Sequence, residues 1–117
     1  MSEANYKEER PWGWFEILFE EAGLKVKRIM VRPGKRLSLQ SHERRAENWV
    51  VIRGRAMVTV GEKTCPLEPH QAVFIPEKSK HRMENPGREE MIFIEVQTGD
   101  YLGEDDITRY QDDFNRC

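Results

Sequence analysis

Cysteine is scarce: Cys65 and Cys117 are the only two in 117 residues. They form no CxxC pair and no disulfide framework, so a reduced, cytoplasmic protein is expected. Cys117, the last residue, is expected to be exposed and without a role. No apolar run approaches the ~20 residues a membrane helix needs, so no membrane partner is expected. Residues 1–10 are polar, unlike the apolar stretch of a secretory signal. An excess of one charge is also missing, with 19 Lys and Arg against 21 Asp and Glu. A dedicated nucleic-acid binder carries a basic excess, so nucleic acid is not the expected partner. There is no internal repeat, no low-complexity tract and no glycine-rich phosphate loop ahead of a helix. The length excludes a large nucleotide-binding domain beside a second catalytic one. Charged residues reach 34 %, yet the signs are mixed and apolar runs are present, which points to a folded, water-soluble domain.

Residues 1–9 read as a flexible lead and residues 10–117 as one domain. Residues 11–18 are aromatic and extended in character, and Glu20-Glu21-Ala22-Gly23 reads as a turn. Residues 24–31 suggest a strand that Pro33-Gly34 stops. A second strand over residues 37–42 places Ser38, Gln40 and His42 on one face. Short β-rich runs follow at 49–52, 56–60, 72–75 and 91–96, punctuated by Gly or Pro. This spacing predicts an all-β sandwich or barrel. No segment carries the period of a long amphipathic helix. Residues 105–114 are expected to form one short C-terminal helix, with Asp105 or Asp106 near its start.

The candidate chemistry lies in Gln40, His42, Glu47 and His81. Gln40 and His42 share a strand face, Glu47 follows after a short excursion, and His81 lies further on. Two imidazoles, a carboxylate and an amide oxygen suit a divalent first-row metal such as zinc, iron or manganese. His70 has no evident partners and is read as structural.

Gly34, His42, Glu47 and Gly54 resemble the first cupin motif, and Pro76, His81 and Asn85 resemble the second. The likeness extends to type II mannose-6-phosphate isomerase through Arg10-Pro11-Trp12-Gly13, Leu37-Ser38-Leu39-Gln40, Arg45-Ala46-Glu47 and the run from His81 to Gly87. Ile94-Glu95-Val96-Gln97 and Tyr101-Leu102-Gly103-Glu104-Asp105-Asp106-Ile107 carry it on, over roughly residues 10 to 116. The resemblance implies an all-β cupin, a double-stranded β-helix or jelly-roll barrel, with the short C-terminal helix added. It implies one divalent metal on Gln40, His42, Glu47 and His81, zinc first, with manganese, iron, cobalt or nickel as alternatives.

Some residues depart from the pattern. Arg44 stands where cupins have a second His, and Glu43 where the subfamily commonly has another. Lys78 and His70 replace glycines of the second motif, and Phe114-Asn115-Arg116 replaces a Tyr-Gly-Arg pattern. The Gln-x-His form of the subfamily keeps the implied ligand set complete without the second His. The subfamily often forms the C-terminal half of an enzyme whose other half is a mannose-1-phosphate guanylyltransferase, for which this chain has no room.

The activity implied is reversible conversion of mannose 6-phosphate and fructose 6-phosphate, with a proton moving between C2 and C1. Glu95, Asp106 and Arg109 form the candidate catalytic set, with Asp105 a further acid. Arg45, Arg82 and Gln97 are the candidate substrate-binding residues. Arg45, Arg82 and Arg109 suit a phosphate because a guanidinium binds it bidentately. Lys35, Arg36 and Lys80 are alternatives. Glu95 shares a strand face with Gln97 and is either barrel-facing or a solvated edge carboxylate. Asp105 and Asp106 equally suit a helix start, and Arg109 a pair with Asp105 one turn earlier. Trp49 reads as core, and Trp12 as closing the barrel or a dimer. A homodimer is expected, with exchange of N-terminal strands as one route. Two other readings stay open. One is a metal-binding cupin acting on another small molecule, as an oxygenase or another isomerase. The other is a non-catalytic module for a sugar phosphate or sugar nucleotide.

Overall fold

The computed structural model describes residues 6–114. The strands are β1 (Tyr6–Arg10), β2 (Gly13–Glu21), β3 (Leu24–Val31), β4 (Leu39–Ser41), β5 (Arg45–Arg53) and β6 (Ala56–Val60). They continue as β7 (Lys63–Leu67), β8 (Ala72–Ile75), β9 (His81–Glu84), β10 (Met91–Gly99) and β11 (Thr108–Gln111). One sheet runs β1-β2-β3-β10-β5-β8 and the other β11-β4-β9-β6-β7, as expected for a jelly roll. All pairings are antiparallel. Among the described residues there is no helix, and so none long and apolar enough to cross a membrane.

Two expectations are corrected. Residues 6–9, read as part of a flexible lead, belong to β1, which pairs with β2 from Tyr6↔Ile17 to Arg10↔Gly13. The expected C-terminal helix over residues 105–114 is instead a loop and β11. Here Thr108 pairs with Ser41 and Arg109 with Gln40. A single short helix is marginal without packing, whereas β11 covers the otherwise open edge of β4. The carboxylate of Asp106, expected to cap that helix, instead accepts the backbone N–H groups of Glu43 and Arg44 at 3.0 and 2.9 Å. Cys65 is exposed, while Cys117, Asn115 and residues 1–5 lie outside the described residues.

The motif glycines serve turns: Gly34 and Gly54 sit at φ 74° and 82°, where a Cβ is disfavoured. His70 and Lys78, at two further glycine positions of the pattern, keep the same left-handed backbone at φ 77° and 70°. The departure therefore changed the side chains and left the turns.

The barrel interior has two halves, set by the period-2 pattern of three adjacent strands. Phe93 on β10 lies opposite Ile29 of β3 and Val51 of β5, and all three are buried in the apolar core. Met83, Met91, Val31, Val58 and Ala56 fill the same half. Two residues along, Glu95 lies opposite Lys27 and Trp49, and two further, Gln97 lies opposite Lys25 and Glu47. These inward residues are buried too. A carboxylate or ammonium removed from water costs several kcal/mol even after relaxation, unless paired. Apolar side chains would fill this half at less cost, so the polar half is where function is sought.

Candidate metal centre and adjoining pocket

His42 follows β4, Glu47 projects inward from β5 and His81 opens β9, so three strands bring them together. Their ligand atoms lie within 4.8 Å of one another. His42 Nε2 is 3.3 Å from Glu47 Oε2, and His81 Nε2 is 4.0 Å from Glu47 Oε1. Tetrahedral ligands at zinc bond lengths lie about 3.3 Å apart, so the group needs little rearrangement to close on an ion. His42 Nδ1 donates to the carbonyl of Asp106 at 2.7 Å, and His81 Nδ1 to the carbonyl of Ser79 at 3.0 Å. These bonds fix the tautomer and leave each Nε2 as the unprotonated ring nitrogen, on the side near Glu47. Burial lowers the His42 pKa to about 4, with Arg45 assisting, and burial lowers that of His81 as well. Both rings are therefore neutral at pH 7, the state that binds metals.

Gln40 lies opposite His81 in the β4–β9 register. Its amide nitrogen donates to Ser38 Oγ at 2.9 Å, and its oxygen is the atom a metal would use. Trp49, buried against Phe93 as expected of a core residue, also serves the site. Its indole N–H bridges Glu47 Oε1 at 2.9 Å and Glu95 Oε1 at 3.1 Å. Gln97 donates to Glu95 Oε2 at 2.6 Å and leaves its own buried Oε1 without a partner. Burial raises the pKa of Glu95, and the neighbouring Glu47 raises it further against the pull of Lys27 and Arg45. Glu95 thus faces the interior and is not a solvated edge carboxylate.

A small cavity of about 80 Å³ that opens to solvent adjoins the centre. Gln40, Arg45, Glu95 and Arg109 line it, with Lys27 and Glu104. Arg109 does not pair as a helical neighbour of Asp105; its Nε is buried without a hydrogen-bond partner. Three candidates do not line this cavity: Gln97, fully buried behind Glu95, and Arg82 and Asp106. Arg82 spends its guanidinium on the Leu37 carbonyl and on Gln111. Asp106 holds the loop after His42 through its carboxylate and the ring itself through its carbonyl.

Lys25 and Lys27 were missed from sequence. Lys27 Nζ lies 2.9 Å from Glu104 and stacks over Phe15 at 4.3 Å, and Lys25 Nζ donates to the Leu102 carbonyl at 3.0 Å. The signal was present: counting back by twos from the buried Val31 and Ile29 reaches both lysines. Asn85 of the second motif is structural. Its amide donates to the carbonyls of Val31 and Glu89, and its oxygen accepts from Gly87.

Two packed antiparallel sheets with a His–Glu–His group inside one end define a cupin-type domain. The family model "Mannose-6-phosphate isomerase C-terminal" matches residues 2–112, and the chain belongs to that family. It is 49 % identical over 107 residues to the alginate biosynthesis protein AlgA of Pseudomonas aeruginosa, covering 92 % of this chain and 22 % of AlgA. It is 48 % identical over 107 residues to the xanthan biosynthesis protein XanB of Xanthomonas campestris pathovar campestris, covering 92 % of this chain and 23 % of XanB. The chain thus spans under a quarter of the length of these relatives. A conserved protein of Klebsiella pneumoniae with a double-stranded β-helix domain shares the fold, with a TM-score of 0.72, 21 % identity and 82 % of each chain covered.

Proposed function

We propose that this chain interconverts an aldose phosphate and a ketose phosphate, the pair being mannose 6-phosphate and fructose 6-phosphate. His42, Glu47 and His81 would hold a divalent metal, zinc first, and the Gln40 amide oxygen would be its fourth ligand. When bound, the metal supplies Lewis acidity toward neighbouring sugar oxygens.

The observation that carries this reading is the position of Glu95, a buried carboxylate tied through Trp49 to Glu47 and lining the cavity. Its raised pKa makes it a stronger base than a solvated glutamate. It takes the C2 proton of the open-chain aldose and returns it to C1, while the hydroxyl proton passes between the two oxygens. Trp49 and Gln97 orient its two oxygens from either side. Arg109 and Lys27, lining the same cavity, take the phosphate end, and Phe15 and Trp12 wall the sugar from water.

A coupled assay with mannose 6-phosphate on zinc-loaded and chelated protein tests the reading. Turnover that disappears with the metal and returns with it is the expected result. Loaded protein that binds the sugar phosphate without turning it over would make this a binding module instead.

A further inference from the structure

The guanidinium of Arg45 reaches into the candidate metal centre. Its Nε donates to Glu47 Oε2 at 2.8 Å, and its Nη2 lies 3.1 Å from His42 Nε2. Because His42 Nδ1 is already a donor to the Asp106 carbonyl, Nε2 is the acceptor and Arg45 its donor. A ring nitrogen of this kind has one lone pair. It can accept the Arg45 N–H or bind a metal, and not both.

We infer that Arg45 and a divalent metal compete for His42 Nε2 and Glu47 Oε2, and that metal entry turns the Arg45 guanidinium into the adjoining cavity as an anion-binding group. This inference rests on the metal reading proposed above. Three observations support it. The buried Glu47 carboxylate needs a cation, and the guanidinium provides one on the same strand face, two residues away. A dication and a guanidinium at hydrogen-bond distance of the same two atoms repel strongly in a site shielded from water. Arg45 also has a place to go, since it already lines the cavity with Glu95 and Glu104. Once there it adds a planar donor fork to Lys27 and Arg109, a set that favours a phosphate-like dianion. Linkage then makes the effect reciprocal: an anion in the cavity draws Arg45 off its partners and tightens metal binding.

The test uses the full chain stripped of metal and titrated with Co²⁺, followed by visible absorption. Arg45→Met keeps the stem and removes the donors. It is expected to bind Co²⁺ at least tenfold tighter than the wild type. Its metal-free form should melt lower, because Glu47 has lost its cation, and saturating Co²⁺ should close that gap. In the wild type, sodium sulfate should tighten Co²⁺ binding relative to sodium chloride at equal ionic strength, and the gain should vanish in Arg45→Met. A folded Arg45→Met with unchanged or weaker affinity, or a sulfate effect that survives the substitution, overturns the inference. Should metal-free Arg45→Met fail to fold, Arg45→Lys replaces it. With one head group in place of the fork, it should bind Co²⁺ severalfold tighter, and unchanged affinity overturns the inference. If wild type and variant both ignore Co²⁺, the metal reading itself fails, an outcome distinct from wild-type binding that Arg45 does not affect.

Discussion

His42 and Asp106 stand 64 positions apart, yet the imidazole Nδ1–H of one donates to the backbone carbonyl of the other at 2.7 Å. The Asp106 carboxylate secures this contact by accepting the N–H groups of Glu43 and Arg44. Losing such a partner behind a ligating histidine typically weakens metal binding 10–100-fold. Asp106→Ala is therefore expected to lower zinc affinity by about that factor, read by competition with a chromophoric chelator. Unchanged affinity would show that the Asp106 carbonyl holds His42 without help from the carboxylate.

His81→Ala and Glu47→Gln each remove a ligand of the proposed centre. Elemental analysis after growth with ample zinc should find metal in the wild type and little in either variant. Retention of a full equivalent by both would place the ion elsewhere.

Glu95→Gln preserves the shape of the side chain and removes the proton acceptor. Turnover is expected to fall by about 10²-fold or more while metal content stays at the wild-type level. Equal turnover would exclude Glu95 as the base.

The turns at His70 and Lys78 are occupied by residues with a Cβ at φ 77° and 70°. The left-handed conformation costs such a residue about 1–2 kcal/mol, part of which glycine gives back through its freer unfolded chain. His70→Gly should stabilise the fold by about 1 kcal/mol in urea unfolding. A loss of stability would mean that the imidazole makes contacts worth more than the strain.

Glu104 carries a pH signature. Burial alone would raise its pKa, but Lys27, Arg45 and Lys25 outweigh burial and hold it below the ordinary carboxylate value. A carboxyl whose folded pKa is depressed contributes stability that is present above its unfolded pKa, ordinarily about 4.3, and is lost as pH falls through the folded value. Unfolding free energy measured between about pH 5 and 3 should therefore fall more steeply in the wild type than in Glu104→Gln. Parallel slopes would show that the Lys27–Glu104 contact does not differ between folded and unfolded chains.

The strands were legible because their determinants are local. Alternation, β-branched residues and Gly or Pro stops marked 24–31, 49–52, 56–60, 72–75 and 91–96, and each falls within or largely overlaps a strand. The motif spacing likewise marks His42, Glu47 and His81, and the fold brings their ligand atoms together. The segment at 105–114 was misread for the opposite reason. Its aspartates suit a helix start locally, and nothing in those ten positions reveals that the edge of β4 needs a partner. Lys25 and Lys27 escaped notice because a lysine in a β-rich run is ordinarily a solvated outward residue.

The sequence by itself determined the all-β class, the two motif turns and the identities of the metal-competent residues, since these follow from side-chain chemistry and short-range periodicity. The tertiary structure alone decided which of the remaining charged residues matter. Register across β3, β10 and β5 turned Lys27, Glu95 and Arg45 toward one cavity. Hydrogen bonds between distant segments took Arg82 and the Asp106 carboxylate away from it. The physical reason is that a charge acts through its distance and its dielectric surroundings, and both are set by segments far apart in the chain.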